Sequence, residues 1–145
     1  MRVVIGEDQV LMREGLRVVL ERAGFTIAGE AGDAPELLRA VRDLTPDLVV
    51  ADIRMPPTHT DDGLRAALEL RAERPDLPVI VLSQHVKRRY ATQLLEAGPR
   101  GVGYLLKQRI ADVDTFVADL PRVLVGETVL DPVVVAAMLD RPRAD

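Results

Sequence analysis

Apolar residues occur along this chain in two alternating patterns. Short continuous runs rich in Val, Ile and Leu are typical of strands buried on both faces of a sheet. Between them lie longer stretches in which apolar residues recur at helical spacing and end at Gly or Pro. The predicted strands are residues 3–5, 25–31, 48–51, 79–82 and 102–106.

The regular alternation of strand and helix predicts an α/β fold. Strands that are apolar throughout need cover on both faces, and strands joined through helices pair in parallel with right-handed crossovers. We therefore expect a doubly wound five-stranded parallel sheet with helices on both faces, formed by residues 1–125. The segment 126–145 has an extended stretch and then a helix start at Asp131 and Pro132, and is expected to be the start of a linker helix.

Composition favours one acidic domain. A chain of 145 residues can bury a core without cross-links, and the absence of Cys excludes disulfides, zinc–thiolate sites and thiol nucleophiles. A formal net charge of −4 makes direct binding of nucleic acid by this chain unexpected. The longest apolar run, 133–139, is too short to span a membrane, and acidic Glu7 stands where a signal peptide would be apolar. We expect a cytoplasmic domain without membrane contact.

Charged and polar residues directly follow four of the predicted strands. Glu7 and Asp8 follow the first strand, Asp52 the third, Ser83 the fourth and Lys107 the fifth. The carboxyl ends of parallel strands share one edge, where doubly wound sheets bind ligands. Converging carboxylates repel one another unless a cation neutralises them, and oxygen ligands with room for water suit Mg²⁺. With an ammonium and a hydroxyl that can bind an anion, the set predicts phosphoryl transfer to a carboxylate.

Four segments in this order resemble the receiver domain of two-component response regulators. They are VVIGED at 3–8, DLVVADIRMPP at 47–57, VIVLS at 79–83 and GYLLK at 103–107. Each segment ends a predicted strand, and together they extend over most of the chain. The resemblance implies the flavodoxin-like receiver fold.

The resemblance also implies a role for individual residues. The implied phosphoacceptor is Asp52, and the implied acidic metal-binding pair is Glu7 with Asp8. Lys107 is the implied lysine, Ser83 the switch hydroxyl and Tyr104 the switch aromatic. Mg²⁺ would be bound by Glu7, Asp8, Asp52 and the backbone carbonyl of Arg54.

The implied function is a phosphorylation-dependent signalling switch. A sensor histidine kinase would donate the phosphoryl group, Ser83 would move toward it, and Tyr104 would rotate into the vacated space. The protein would not be an enzyme with an external substrate, because it would catalyse only its own phosphorylation and dephosphorylation. Its output would be transcription regulation, through a phosphorylation-linked homodimer.

Further segments resemble the regulators that carry a C-terminal DNA-binding helix-turn-helix of the LuxR/NarL type. They are MPPTHTDDGL at 55–64, SQH at 83–85, GVGYLLK at 101–107 and GETVLDPVVV at 126–135. No such second domain fits in 145 residues. The chain is therefore either a receiver fragment ending in its linker or a stand-alone receiver, and any DNA contact would come through a missing domain.

Two positions depart from the family pattern. Gln108 follows Lys107 where the family usually has Pro after a cis bond, and a cis peptide here would cost about 3–4 kcal/mol. The loop 57–62 is longer than usual, so His59 either covers the site or is simply exposed.

Other functions remain open. A pseudo-receiver would act by protein contacts alone. A phosphatase of the haloacid dehalogenase type would want a second Asp two residues after Asp52, where Arg54 stands. Dinucleotide binding is disfavoured because no G-x-G-x-x-G follows the first strand. The sequence does not identify the kinase, the stimulus or the target genes. It also does not identify the surface through which the protein would dimerise.

Overall fold

In the computed structural model, which describes residues 1–139, six parallel strands form one sheet. The order of strands across the sheet is β2-β1-β3-β4-β5-β6. The elements along the chain are β1 (Arg2–Gly6), α1 (Val10–Arg22), β2 (Thr26–Ala31), α2 (Ala34–Leu44), β3 (Leu48–Asp52), α3 (Asp62–Glu73), β4 (Val79–Ser83), α4 (Arg88–Glu96), β5 (Val102–Leu106), a 3₁₀ turn (Lys107–Ala111), α5 (Val113–Leu124), β6 (Thr128–Leu130) and α6 (Pro132–Leu139).

The α/β class, the parallel sheet and the helices on both faces are confirmed. Helices α1 and α5 cover one face, where residues such as Leu16 and Phe116 pack on alternate strand positions. Helices α2, α3 and α4 cover the other face, where Leu37, Leu64 and Leu94 belong to a second buried cluster. Each central strand contributes side chains to both clusters, which explains why these strands are apolar throughout.

The predicted number of strands is wrong: the sheet has six strands instead of five. The additional strand, β6, pairs in parallel with β5 from Val102 and Thr128 to Tyr104 and Leu130. With only three residues, β6 is too short to show a period, and its pairing depends on a strand distant in sequence. The sequence therefore predicts a linker at these residues and no sixth strand.

Helix α6 also packs on the body of the domain. It lies against α4, and Val134 is fully buried in the cluster that contains Leu94 and Tyr104. The described residues beyond 125 thus extend the sheet and one helical layer. Their role as the start of a linker stays a prediction, and residues 140–145 lie outside the described part of the chain.

The parallel register places the carboxyl ends of the central strands at one edge. Gly6 pairs with Ala51, Asp52 with Leu82 and Ser83 with Leu106, so the segments that follow these strands begin side by side. Among the described helices, none combines the length and the apolar character needed to cross a membrane.

Candidate functional site

A buried lysine connects the acidic residues at this edge. Lys107 Nζ lies 2.8 Å from Asp52 Oδ2 and 3.1 Å from Glu7 Oε2. The other oxygen of Asp52 accepts a hydrogen bond of 3.2 Å from the backbone N–H of Arg54. The Lys107 side chain is only 12% exposed, so both ion pairs are largely shielded from solvent. The structure therefore brings together the predicted phosphoacceptor, one predicted metal ligand and the predicted lysine.

Three carboxylates converge beside this lysine. Glu7, Asp8 and Asp52 each offer an oxygen atom within 4.8 Å of the others. Glu7 is completely buried, and its Oε2 accepts no hydrogen bond from the described residues although Lys107 Nζ is nearby. One ammonium group cannot neutralise three carboxylates, so the cluster has unmet capacity for a cation.

The pKa shifts of these groups reflect their burial first and the charges of their neighbours second. Burial, reinforced by the charge of Asp52, raises the pKa of Glu7 to about 7, although Lys107 acts in the opposite direction. Burial also raises the pKa of Asp52, against the hydrogen bond from Lys107. Burial disfavours the Lys107 ammonium, but its contacts with Asp52 and Glu7 outweigh this and raise its pKa. An additional cation would relieve the repulsion within the cluster.

The predicted switch residues form hydrogen bonds with the segment between β4 and α4. Ser83, the last residue of β4, directs its hydroxyl to the carbonyl oxygen of His85 at 2.5 Å. Tyr104 is fully buried, and its hydroxyl oxygen accepts a hydrogen bond of 3.3 Å from the backbone N–H of Lys87. Burial raises the pKa of Tyr104 despite the hydrogen bonds from Lys87 and Ser83. In this structure the side chain of Tyr104 is therefore enclosed in the domain.

A polar cavity of about 200 Å³ opens over Asp52. Its lining consists of Asp8, Gln9, Asp52, Arg54, His59, Gln84, His85 and Lys107. The long β3–α3 loop therefore does reach the site, since His59 Nδ1 lies 3.7 Å from Asp8 Oδ2. The peptide bond after Lys107, which is cis in the usual family pattern, is trans here. Among the described residues the cis peptide bond is Pro56–Pro57.

One residue that shapes the site was not singled out in the sequence. A Cβ atom added to Gly63, the second residue of α3, would lie 1.8 Å from the carbonyl oxygen of Asp52. The Gly63 N–H donates to the carbonyl oxygen of Ile53 at 2.9 Å, which brings α3 close to the end of β3. The available signal was a glycine at a helix start shortly after the predicted acceptor, because such glycines often permit a close backbone approach.

The family follows from the sequence match. The chain matches the response regulator receiver domain family over residues 3–117. This chain is a response regulator receiver domain. The matched range includes every residue for which a site role was predicted, from Glu7 to Lys107.

Several relatives of this receiver domain are regulators of transcription. The uncharacterized transcriptional regulatory protein YxjL of Bacillus subtilis is 31% identical over 112 residues, which cover 77% of this chain and 49% of the relative. The transcriptional regulatory protein PdtaR of Mycobacterium tuberculosis is 37% identical over 106 residues, which cover 73% of this chain and 49% of the relative. The chain thus spans about half the length of these relatives.

Solved structures also resemble this receiver domain. A two-component response regulator of the LuxR family from Aurantimonas sp. SI85-9A1 superimposes with a TM-score of 0.79 at 27% identity. The superposition covers 94% of each chain. The match includes nearly all of this receiver domain, in agreement with the resemblance to LuxR-type regulators.

Proposed function

We propose that this receiver domain is a phosphorylation-controlled signalling switch whose acceptor is Asp52. The observation that carries the proposal is the convergence of Glu7, Asp8 and Asp52 around Lys107 at the mouth of a polar cavity. The donor would be the phosphohistidine of a sensor histidine kinase. Asp52 terminates β3 and faces this cavity, so an incoming phosphorus atom can reach its carboxylate.

The residues support nucleophilic transfer without a separate general base. A carboxylate oxygen of Asp52 forms the new O–P bond while the P–N bond of the phosphohistidine breaks, and the leaving imidazole keeps the electron pair and takes a proton from solvent water. Before transfer Lys107 donates to Asp52 at 2.8 Å, a contact that favours the ionised carboxylate against the effect of burial. After transfer its ammonium can pair with a phosphoryl oxygen, where the negative charge has moved.

The donor set fits Mg²⁺. Glu7, Asp8 and Asp52 supply carboxylate oxygens, the Arg54 backbone carbonyl is the expected fourth protein group, and the oxygen of Glu7 that accepts no hydrogen bond is available as an acceptor. When bound, Mg²⁺ would neutralise negative charge on the transferring phosphoryl group.

Ser83 and Tyr104 would convert the modification into a change of shape. The Ser83 hydroxyl bonds to the carbonyl oxygen of His85, and it would exchange this partner for a phosphoryl oxygen. Tyr104, which is already buried beside the start of α4, would then rotate into the space that Ser83 vacates. The result is a population shift between two packings near α4 and β5.

We further propose that the output is transcription regulation, exerted through a second domain and a phosphorylation-linked homodimer. Relatives of about twice the aligned length are named as transcriptional regulators, which supports this assignment. The protein would work in the cytoplasm and catalyse only reactions of its own Asp52 phosphate. Gln84, His85 and Arg54, which line the cavity, would tune access of water to that phosphate.

The assignment can be tested by incubating the protein with Mg²⁺ and acetyl phosphate and measuring its intact mass. We expect the mass of one added phosphoryl group in the wild type and in Asp61→Asn, a control in the adjacent loop, but none in Asp52→Asn. A wild type that gains no mass would favour the pseudo-receiver. Labelling of Asp52→Asn to the same extent would show that another residue is the acceptor.

Self-association is tested separately by sedimentation velocity, with and without beryllofluoride and Mg²⁺ as a phosphoryl mimic. We expect the mimic to shift the protein from monomer toward dimer, and Asp52→Asn to stay unchanged. A monomer that persists with the mimic bound would remove the dimer from the proposal without affecting the acceptor.

A further inference from the structure

The start of α6 is held by a buried carboxylate outside the acidic cluster. Asp131 precedes the helix and is only 2% exposed. Its Oδ1 accepts a hydrogen bond of 3.0 Å from the Val133 N–H, as an N-cap does, and its Oδ2 lies 2.6 Å from Arg109 Nε. We call the Arg109–Asp131 ion pair the α6 anchor.

The anchor carries most of the charge compensation for this carboxylate. Burial disfavours the ionised form of Asp131, but the hydrogen bonds from Arg109 and Val133 outweigh burial and lower its pKa. The other charged groups that act on Arg109 are Asp119 of α5 and Asp112 at the start of α5. A buried carboxylate that lost its guanidinium partner would be costly, so α6 would then leave its position more readily.

Two further polar contacts of Asp131 come from the stretch of chain that contains Arg109. Its backbone N–H donates to the carbonyl oxygen of Tyr104 at 2.9 Å, and the Leu106 N–H approaches its Oδ2 at 3.5 Å. Together with Arg109, these contacts all belong to residues 104–109. The base of α6 is therefore attached to the segment that also contains the predicted switch tyrosine and the buried lysine.

The 3₁₀ turn links this attachment to the phosphorylation site. Lys107 and Arg109 lie two residues apart in a turn of five residues, Lys107–Ala111. Lys107 reaches back to Asp52, whereas Arg109 reaches to Asp131. If Lys107 follows negative charge from Asp52 onto a phosphoryl group, so short a turn moves Arg109 with it. In the described part of α6, Val134 is fully buried in the core cluster, and Met138 packs against the same cluster while partly exposed.

We propose that the α6 anchor is a conformational latch: the Arg109–Asp131 ion pair holds α6 against α4, and phosphoryl occupancy of Asp52 loosens it through the Lys107–Ala111 turn. The trigger rests on the function proposed above. The latch adds the route by which the state of Asp52 reaches the C-terminal segment, which would lead toward an output domain.

The latch itself is tested by hydrogen–deuterium exchange of the whole chain, read at the α6 amides from Val135 to Leu139. Arg109→Gln and Asp131→Ala should accelerate their exchange on the order of tenfold. Asp131→Asn should have a smaller effect, because Asn keeps the N-cap acceptor and loses only the charge. The matched control is Arg122→Gln, since Arg122 forms longer and more exposed ion pairs, and it should leave α6 unchanged.

Slow hydrogen–deuterium exchange of the β1 and β3 amides in every variant will show that the fold is intact. Unchanged α6 exchange in both Arg109→Gln and Asp131→Ala would overturn the latch.

The coupling is tested with beryllofluoride and Mg²⁺, with ¹⁹F NMR reporting whether the mimic binds. We expect α6 exchange to rise severalfold in the wild type, but not in Asp52→Asn, which lacks the acceptor, nor further in Arg109→Gln, whose anchor is already broken. A mimic that binds while α6 protection stays the same or increases would overturn the coupling and leave Asp52 as acceptor. Failure of the mimic to bind would instead refute the proposed site, and the coupling with it.

Discussion

Two largely buried cations lie at opposite edges of the sheet and are held in different ways. Arg71, near the end of α3, is 4% exposed and donates to three backbone carbonyls, those of Leu77 at 2.8 Å, Gly98 at 2.8 Å and Arg100 at 2.7 Å. Lys107 instead contacts the carboxylates of Asp52 and Glu7. The first cation meets neutral acceptors, whereas the second lies in an excess of negative charge.

The difference separates a structural role from a functional one. The carbonyls around Arg71 belong to the loops before β4 and before β5, so one guanidinium fixes both loops at the amino edge of the sheet. Around Lys107 the charges do not balance, and an oxygen of Glu7 accepts no hydrogen bond from the described residues. A site of the proposed kind, which would receive a cation and a phosphoryl group, is expected to be less stable in their absence, as functional sites commonly are.

The largest effect is expected from Arg71→Leu. This change leaves three carbonyls without their donor and should lower the free energy of unfolding by about 3 kcal/mol. Urea denaturation followed by circular dichroism measures it. Arg74→Leu is the matched control, because Arg74 is exposed and donates to the carbonyl of Pro46 at a longer 3.3 Å. Labelling by acetyl phosphate should persist in folded Arg71→Leu. A loss similar to that of the control would refute the structural role.

A similar effect is expected from the ionisation of Glu7 in Mg²⁺-free buffer. Its pKa is raised from 4.5 to about 7 in the native state, so between these values the native protein retains a proton that the unfolded chain has released. The free energy of unfolding should therefore fall as the pH rises through this window, by about 3 kcal/mol, and level off above it. Urea denaturation at several pH values in EDTA measures the slope.

Glu7→Gln is the control for this titration. It keeps the size of the side chain and removes the ionisable group, so its stability should change little with pH over the same window. A wild-type profile without a slope, or an equal slope in Glu7→Gln, would show that Glu7 does not titrate as described.

The comparison also shows what the sequence could predict. Asp52 and Lys107 could be assigned to one site because the carboxyl ends of parallel strands share an edge, whatever the details of packing. Arg71 could not be recognised, because its carbonyl partners come from loops distant in sequence and nothing local distinguishes it from Arg65 or Arg74.

The conformations of the site side chains were less predictable from the sequence than their positions at the strand ends. Ser83 was correctly placed at the end of a strand, but the hydrogen bond of its hydroxyl to His85 depends on the turn that follows. The buried position of Tyr104 depends in turn on α4, whose Lys87 N–H meets its hydroxyl. Strand β6 and the α6 anchor could not be predicted for a related reason. Asp131 and Arg109 are distant in sequence, and the pairing of β6 with β5 brings them together.

The smallest effect on the free energy of unfolding is expected from Asp52→Asn. The sign of this effect tests the difference between the Arg71 and Lys107 sites most directly. In Mg²⁺-free buffer the substitution removes one of three clustered carboxylates and leaves Lys107 paired with Glu7, so no buried cation loses its last partner. The free energy of unfolding should rise by about 1 kcal/mol. Mg²⁺ should stabilise the wild type in urea denaturation and release measurable heat in calorimetric titration, and it should do neither in Asp52→Asn. Asp61→Asn should behave like the wild type. A loss of stability in Asp52→Asn would mean that the Lys107–Asp52 pair stabilises the fold as Arg71 does, and the distinction between the two edges would fail.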